Sequence, residues 1–461
     1  MSLCYCWDYE DFQLVIRCCH HLTSTSLLSY RILLHSENKL AVKIQSIKGM
    51  HDILPEISSY WQLVERKICN VFEQYGYREL RTPIVEKTEL FKHSIGELTD
   101  IVSKEMYTFN DRSGDSLTLR PEATASCARA GLQHSLFQNS VSRLWYMGPM
   151  FRREKPQKGR TRQFHQAGAE SFGLVGPDTD AEIIMMCARI WKELDIKEFT
   201  LQLNTLGTVE SRSKYREALI EYFNDNYDKL DEDDRNRLNQ NPLRILDSKN
   251  HKIQTLIKFV PVMSDYLDDE SSDHFARLKE LLSNSAVDFE INPNLVRGLD
   301  YYTKTVFEWT TERLGAQGTV CAGGRYDGLV EIFGGKPTPG IGFALGMERL
   351  VEVFMESTQE DLTQKPDIYI LSSDDKALAN GLKIAEQIRD LTTCSVLMHC
   401  GGGSFKSQFK KADKSGAKIA LILGEEELGK DIISIKYLRQ DKDQIEIQQR
   451  VLIETLKNEF P

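Results

Sequence analysis

Two strand-like runs joined by a strongly basic loop constrain this chain more than any other feature. The run 143–151 is rich in apolar residues, and the run 163–170 alternates with the period of two that is typical of a half-buried strand. The loop 152–162 between them holds six basic residues and is broken by Pro156 and Gly159. This pattern predicts an antiparallel pair of strands that presents cations to a polyanion.

The second run places an unusual set of side chains on one face of its strand. With a period of two, Phe164, Gln166, Gly168 and Glu170 share that face. Taken singly, each residue is more often structural. Together with Arg152 at the start of the loop, they predict a nucleotide that is held against an antiparallel sheet.

A second concentration of polar groups lies at 295–302, Leu-Val-Arg-Gly-Leu-Asp-Tyr-Tyr, which we call the octapeptide. Strand-like runs flank it at 287–291 and 305–309. Arg297 can aim a two-pronged donor at an oxyanion, and Tyr301 and Tyr302 offer hydroxyls beside apolar rings. The structural alternative, in which Arg297 pairs with Asp300 to stabilise a turn, stays open.

A predicted strand at 116–119 leads into the turn 120–124, Arg-Pro-Glu-Ala-Thr. Pro121 restricts this turn, and Glu122 and Thr124 are acceptors that suit an ammonium group. The alternative is that Glu122 and Thr124 cap a helix.

Upstream of that turn, apolar residues at three- and four-residue steps predict a helix over 56–75 whose apolar face needs a partner. The run 77–85 is predicted to form one strand. Because Pro83 lacks a backbone donor, that strand is expected at a sheet edge or an interface.

The composition limits which classes of protein this chain can belong to. The length of 461 residues predicts about three domains, and 41% hydrophobic and 27% charged residues are typical of a soluble globular chain. A net charge of −10 requires any RNA partner to be held by local basic patches. No apolar run approaches the ~18 residues that span a bilayer, so no membrane partner is expected. The scattered cysteines indicate reduced thiols and a cytoplasmic protein.

Residues 1–42 differ from the rest of the chain. Their cysteines and histidines match no familiar zinc spacing, and acidic residues stand where a targeting peptide carries Lys or Arg. We expect an N-terminal extension of unknown role, with a native start at or near Leu40.

Two further regions have distinct sequence patterns. The strand pattern vanishes at about 208–288, where acidic stretches such as 230–234 predict a helical insertion. After Lys365-Pro366, alternating strands and helices predict an α/β module. Its helix from Phe405 carries lysines that offer a local patch for RNA or, alternatively, a solvated face: Lys406, Lys410, Lys411 and Lys414.

These blocks resemble those of a known family. The segment 151–170 resembles motif 2 of class II aminoacyl-tRNA synthetases, and 340–350, Gly-Ile-Gly-Phe-Ala-Leu-Gly-Met-Glu-Arg-Leu, resembles their motif 3. The octapeptide and 322–329, Ala-Gly-Gly-Arg-Tyr-Asp-Gly-Leu, are similar to two blocks peculiar to the histidyl-tRNA synthetase family, of the bacterial type. The similarity runs from about Lys43 to the C-terminus.

The resemblance implies an α+β fold. The class II synthetase antiparallel-sheet catalytic domain is expected over 43–360, with the helical insertion at about 208–288 inside it. A C-terminal α/β anticodon-binding domain is expected over 366–461.

The resemblance also implies an ATP-dependent histidine-tRNA ligase. Histidine and ATP would form histidyl-adenylate, and the histidine would pass to the 3′ end of tRNA(His). ATP is then a substrate, Mg²⁺ is carried by the phosphates, and no protein-bound metal is expected. A homodimer is implied, and the apolar face of the helix at 56–75 agrees with it.

Residue roles follow from the same resemblance. Arg297 and Arg152 are the expected catalytic residues, since both would stabilise charge at the α-phosphate. ATP would be bound by Arg152, Phe164 and Arg349. Histidine would be bound by Glu122, Ala123, Thr124, Gln166, Glu170, Arg297, Tyr301 and Tyr302. The tRNA would contact Lys155, Gln157, Lys158 and Arg160.

Two other functions are weighed. A synthetase-like regulatory subunit of histidine biosynthesis keeps the fold without charging tRNA, but such relatives generally lack the C-terminal module. A class II synthetase for another amino acid is disfavoured by the octapeptide.

Overall fold

The computed structural model describes residues 44–460 apart from 98, 139–140, 158, 247, 249 and 316–317. The expectations for residues 1–42 and for the start at Leu40 lie outside the described residues. Contacts divide the chain after His51. In the first unit, a turn is closed by the amide of Met50, which donates to the carbonyl oxygen of Ile47 at 2.8 Å. All elements below belong to the second unit.

An eight-stranded sheet dominates this unit. Its neighbouring strands are antiparallel except for the outermost pair at each edge, which is parallel. The strands in spatial order are β1 (Arg78–Glu79), β5 (Ser142–Phe151), β6 (Gln163–Phe172), β11 (Gly340–Gly346), β10 (Thr319–Arg325), β9 (Thr303–Thr310), β7 (Thr200–Thr205) and β8 (Glu290–Ile291). The predicted antiparallel pair on either side of the basic loop is confirmed as β5 and β6.

Helices cover one face of this sheet with an apolar core. The predicted helix at 56–75 is confirmed as α1 (Pro55–Gln74), and its side chains Trp61, Ile68 and Phe72 are buried in that core. Later helices add to the same core: α4 (Pro177–Glu193), α8 (Asp269–Asn284) and α10 (Met347–Ser357). The apolar face of α1 therefore has its partner within this chain, so this face is not evidence for the expected homodimer.

The prediction of a single strand at 77–85 is wrong. Pro83 separates β1 from β2 (Val85–Lys87), which is an edge strand of a second, three-stranded sheet. In that sheet β4 (Ser116–Leu119) is the predicted strand, and β3 is Tyr107–Asn110. Pro83 lacks an amide donor and lies in the segment between the two ladders. Short helical elements lie around these strands: α2 (Thr88–Ile95), a π-helical turn (Ile101–Glu105), α3 (Thr124–Gln133) and α9 (Leu329–Ile332).

The regular elements of the insertion are all helical among its described residues, as predicted. Its own core includes Tyr215, Leu219, Phe223 and Ile253. Its elements are α5 (Val209–Asp225), a 3-10 turn (Tyr227–Lys229), α6 (Glu232–Gln240), two further 3-10 turns (Pro242–Ile245 and Met263–Tyr266), α7 (His251–Ile257) and α8. Of the strand predicted at 287–291, only β8 forms.

The C-terminal module is a five-stranded sheet with helices on both faces. Alternate residues of β12 (Ile368–Ser372) pack into two separate apolar clusters, one with α11 (Asp375–Leu391) and the other with α12 (Phe405–Ser415). The remaining elements are β13 (Val396–Met398), β14 (Ile419–Leu423), α13 (Glu425–Lys430), β15 (Ile432–Tyr437), β16 (Ile445–Gln448), a 3-10 turn (Gln449–Val451) and α14 (Leu452–Glu459). None of the described helices has the length and apolarity needed to cross a bilayer.

Candidate active site

A cavity of about 960 Å³ lies on the face of the large sheet opposite the helices and their apolar core. Phe164 and Gln166 of β6 line it, whereas Ala167 and Ala169 of the same strand point into the core on the other side. The period of two predicted from the sequence therefore separates the core face from the cavity face. The basic loop, the octapeptide, β9 to β11 and the insertion supply the other walls.

Three tyrosines form one wall of the cavity. The rings of Tyr301 and Tyr302 have centroids 4.7 Å apart, and the ring of Tyr326 stands edge-on to Tyr301 at 5.6 Å. All three side chains are buried and belong to the same apolar cluster. Burial raises the pKa of the Tyr301 phenol well above its ordinary range, so its hydroxyl stays neutral and can both donate and accept.

Arg297 enters the cavity from the octapeptide, but its partner is not the predicted one. Its Nη1 donates to the carboxylate of Glu308 on β9, which also accepts from Thr319 Oγ1 at 2.9 Å. Burial lowers the pKa of Arg297, the Glu308 carboxylate raises it, and the net direction is upward. Asp300 instead accepts from Asn241 Nδ2 at 3.3 Å. The structural alternative of an Arg297–Asp300 pair is therefore wrong.

Glu122 and Thr124 lie where α3 begins. The Glu122 carboxylate accepts from the amides of Thr124 and Ala125 at 2.7 and 2.9 Å, so the capping alternative holds for Glu122. It does not hold for Thr124, whose hydroxyl donates to Glu170 instead. Glu122 and Thr124 also line the cavity, whereas Ala123 is fully buried and does not. Burial raises the pKa of Glu122, and the two amide bonds oppose that shift.

Glu170 lies beneath the cavity floor instead of lining it. Its carboxylate accepts from Thr124 Oγ1 at 2.6 Å and from the Tyr326 hydroxyl, and β11 packs against it at Gly342. Burial raises the pKa of Glu170 to about 8, although the two hydroxyl bonds act in the opposite direction. A carboxyl in this setting gains from any ligand that brings a donor or a positive charge.

Arginines concentrate at the end of the cavity beside the basic loop. The guanidinium of Arg152 lies 5.2 Å from the ring centroid of Phe164, and its Nε donates to the carbonyl oxygen of Pro121 at 2.9 Å. Arg349, at the start of α10, donates to the carbonyl oxygen of Gly159 at 2.9 Å. Burial lowers the pKa of Arg349, and repulsion from Arg160 adds to that shift. Such a cationic end suits a polyanion.

The residues expected to contact tRNA lie on the loop itself. Lys155 and Gln157 are exposed and do not line the cavity, while Arg160 does so and pairs with Glu154 at 2.9 Å. The backbones of Gln157 and Arg160 bond to each other across the tip of the loop. Lys158 lies outside the described residues.

Several residues of this site are not among those predicted from the sequence. Glu308 is the one carboxylate of the predicted strand 305–309, and Tyr326 lies in the block 322–329, where the sequence predicts no role for its phenol. No local pattern marks Arg237 and Gln254, which reach the cavity from the insertion. Their position follows from how the insertion packs against the catalytic sheet.

The described residues contain no cluster of three or more His, Cys, Asp or Glu side chains that could hold a metal ion. The cavity offers several carboxylates, but Glu308 and Glu154 already face arginines. This donor set fits a Mg²⁺ that keeps its waters and is held mainly by substrate phosphates.

Comparisons with known proteins agree with this architecture. Residues 49–350 match the family model described as histidyl-tRNA synthetase, and residues 367–459 match an anticodon binding domain. The structure resembles an apo histidyl-tRNA synthetase from S. aureus with 33% identity and a TM-score of 0.75, covering 90% of this chain and 100% of that one.

Two more distant structures share the fold. A histidyl-tRNA synthetase from a Nostoc species has 21% identity and a TM-score of 0.64 over 91% of this chain and 100% of its own. An ATP phosphoribosyltransferase regulatory subunit/histidyl-tRNA synthetase from Bacillus halodurans has 21% identity and a TM-score of 0.62, over 83% of this chain and 98% of its own.

A mainly antiparallel sheet that carries a cationic cavity, followed by a C-terminal anticodon-binding domain, defines the class II aminoacyl-tRNA synthetase fold. The expected fold class is thus confirmed. Within that class, the family match over 49–350 and the identity to the S. aureus enzyme are decisive. The chain belongs to the histidyl-tRNA synthetase family.

Proposed function

We propose that this protein is a histidine-tRNA ligase that forms histidyl-adenylate from histidine and ATP and transfers histidine to the 3′ end of tRNA(His). The observation that supports it best is the joining, in one cavity, of a cationic end with a buried polar pocket walled by tyrosines. The first suits a triphosphate, and the second suits a small side chain that has both a donor and an acceptor.

In the proposed histidine pocket, the α-ammonium group meets Glu122 and Thr124. Gln166 lies beside the α-carbon, because its amide can direct Nε2 at the carboxylate and Oε1 at the ammonium. That Oε1 atom is buried and has no hydrogen-bond partner among the described residues, so it can accept from a ligand at little cost.

The imidazole of the substrate is recognised at the tyrosine wall. Its two nitrogens require one donor and one acceptor, which Tyr301, Tyr302 and the hydrogen-bonded Glu170 can supply. A buried site built for both groups leaves polar atoms unpaired when another side chain enters, and it therefore rejects that side chain by a large factor.

At the cationic end, Phe164 stacks against adenine, Arg152 binds the α-phosphate and Arg349 binds the γ-phosphate end of ATP. The histidine carboxylate oxygen attacks the α-phosphorus, and the bond to pyrophosphate breaks. Arg297 and Arg152 stabilise the negative charge that develops on the phosphoryl oxygens, where water is largely excluded. Bound Mg²⁺, carried by the phosphates, supplies further charge neutralisation.

In the second step, the terminal hydroxyl of tRNA(His) attacks the carbonyl carbon of histidyl-adenylate, and AMP leaves. Lys155, Gln157, Lys158 and Arg160 of the basic loop are proposed to hold the acceptor end. We also propose catalytic and anticodon-binding domains at 43–360 and 366–461, a homodimer, and a cytoplasmic location.

The test is amino-acid-dependent ATP–pyrophosphate exchange by the purified full chain, run with each standard amino acid in turn. The proposal expects exchange with histidine alone, followed by charging of tRNA(His). Exchange with another amino acid would assign a different specificity. A regulatory role, suggested by the fold shared with the Bacillus halodurans protein, predicts a folded chain that supports no exchange at all.

A further inference from the structure

The insertion holds the octapeptide through three side-chain donors. Each donor comes from the insertion, and the three acceptors lie on alternate residues of the octapeptide. We call these contacts the insertion clasp. Arg244 Nη2 donates to the carbonyl oxygen of Gly298 at 3.3 Å, Asn241 Nδ2 donates to Asp300 Oδ1 at 3.3 Å, and Arg212 Nη1 donates to the carbonyl oxygen of Tyr302.

Apolar side chains also pack between the insertion and the octapeptide. Val296 of the octapeptide packs against the core of the insertion and also against the cluster that contains Tyr301 and Tyr302. On the far side, the amide of Asp300 donates to the carbonyl oxygen of Ile95 at 3.1 Å. The octapeptide is thus a layer between the insertion and the pocket, and its conformation depends on both.

Arg212 is the donor of the clasp that bonds directly to a tyrosine of the cavity wall. It stands in the first turn of α5 and is half-buried, and it bonds the backbone of Tyr302, whose ring lies 5.7 Å from the guanidinium of Arg297. Burial lowers the pKa of Arg212, and the Asp300 carboxylate opposes that shift. A half-buried arginine that bonds a carbonyl makes a charge-assisted contact, which is stronger than a neutral one.

We infer that Arg212 is a positioning residue of the amino-acid pocket: through the carbonyl of Tyr302 it holds the octapeptide in the conformation that presents Tyr302 and Arg297. Arg212 is absent from the cavity lining, so it acts through the octapeptide and not on a ligand. The inference deepens the proposed function, because it takes histidine as the ligand of that pocket.

The matched control is Arg216 on the same helix, one turn further along. Its Nη2 donates to the carbonyl oxygen of Gln240 at 3.3 Å, a contact that stays inside the insertion. Arg212→Ala and Arg216→Ala therefore remove the same side chain from the same helix, and only the first removes a bond to the octapeptide.

The first measurement is amide hydrogen exchange in the full chain without substrates. The inference expects exchange over 295–302 to become at least roughly tenfold faster in Arg212→Ala and to stay at the parent rate in Arg216→Ala. Equal rates in parent and Arg212→Ala overturn it, and so does the same acceleration in both variants. This readout needs no activity, so it decides the inference even if the parent shows no histidine-dependent exchange and the proposed function fails.

The second measurement is the pyrophosphate exchange assay. Arg212→Ala is expected to raise the histidine KM at least about tenfold with the ATP KM within about twofold of the parent, and Arg212→Lys should recover part of the loss. A merely structural role predicts instead a lower Tm with both KM values unchanged, which would overturn the inference. Should Arg212→Ala fail to fold, Arg212→Lys and Asn241→Ala are compared with Arg216→Ala in both measurements under the same criteria.

Discussion

At the scale of single residues, Arg297 and Glu308 form the most consequential pair in the cavity. Both side chains are largely buried, at 18% and 17% exposure, and Thr319 occupies the second carboxylate oxygen. Removing the arginine alone would leave a buried carboxylate with only a hydroxyl partner, which is costly in itself. Any test of Arg297 must therefore separate its effect on the reaction from the cost of an unpaired Glu308.

Arg297→Ala is predicted to lower kcat for pyrophosphate exchange by roughly 10²- to 10³-fold while changing either KM much less, because its charge acts on the developing transition state. Arg297→Lys should recover only part of the rate, since a point charge replaces a two-pronged donor. The control is the double variant Arg297→Ala with Glu308→Gln. If that double variant returns to within about fivefold of the parent rate, Arg297 only neutralises Glu308 and has no direct role.

Glu170 gives a prediction for stability against pH. Its pKa is raised from the ordinary 4.5 to about 8 by burial, so between those values the folded chain holds a proton that the unfolded chain has lost. Its contribution to stability is fully present below about pH 4.5 and is lost as the pH rises through 8. The parent Tm should therefore fall more between about pH 5 and about pH 8 than the Tm of Glu170→Gln, which cannot titrate. Parallel Tm profiles for the two proteins would contradict this.

At the scale of elements, the close approach of β6 and β11 forms the floor of the cavity. Gly342 of β11 pairs with Glu170 of β6, and a Cβ at Gly342 would overlap with the Glu170 carboxylate and lie 2.5 Å from the carbonyl oxygen of Ala169. Glycine is thus required there for space, not for a special backbone conformation. The same strand ends at Gly346, where a Cβ would meet its nearest neighbour only at 3.9 Å.

Gly342→Ala is predicted to destabilise the fold by about 1 to 3 kcal/mol, because the backbone of β6 cannot move away without breaking its ladder. Gly346→Ala should stay within about 0.5 kcal/mol of the parent. Denaturant unfolding of the two variants beside the parent provides the measurement. Equal midpoints for Gly342→Ala and Gly346→Ala would show that the floor of the cavity can relax.

At the scale of the whole molecule, an acidic chain needs a local cationic surface to hold RNA. In the C-terminal module, α12 presents exposed lysines on one side of the sheet, and α11 covers the other side. Lys410 and Lys411 stand next to each other on α12, whereas Lys383 is an exposed lysine of α11. The two helices therefore offer a test and a control within one module.

Replacing Lys410 and Lys411 by alanine is predicted to weaken tRNA binding and to reduce the salt dependence of log K by up to about 2, roughly 0.9 per lost phosphate contact. Histidine-dependent pyrophosphate exchange should be unchanged, because the substitutions lie outside the cavity. Lys383→Ala is the control. Filter binding at several salt concentrations gives the slopes, and an unchanged slope in the double variant would identify α12 as a solvated face.

The sequence by itself determined the elements and the chemical character of the site. It predicted β4 at its observed bounds, β5 and β6 with their basic loop, the helical insertion and the C-terminal module. It also indicated several of the side chains that line the cavity, including Arg152, Phe164 and Arg297. These features are encoded locally, because the periodicity of apolar residues and the chemistry of a turn depend on neighbours along the chain.

Only the tertiary structure decided which groups meet. Tyr326 donates to Glu170 across 156 positions of sequence, Arg212 reaches Tyr302 across 90, and Arg297 pairs with Glu308 instead of the nearby Asp300. The chain also divides at Pro83 between two sheets, and the apolar face of α1 finds its partner inside the same protein. Such choices depend on which surfaces pack together after the elements form, and no local pattern carries that information.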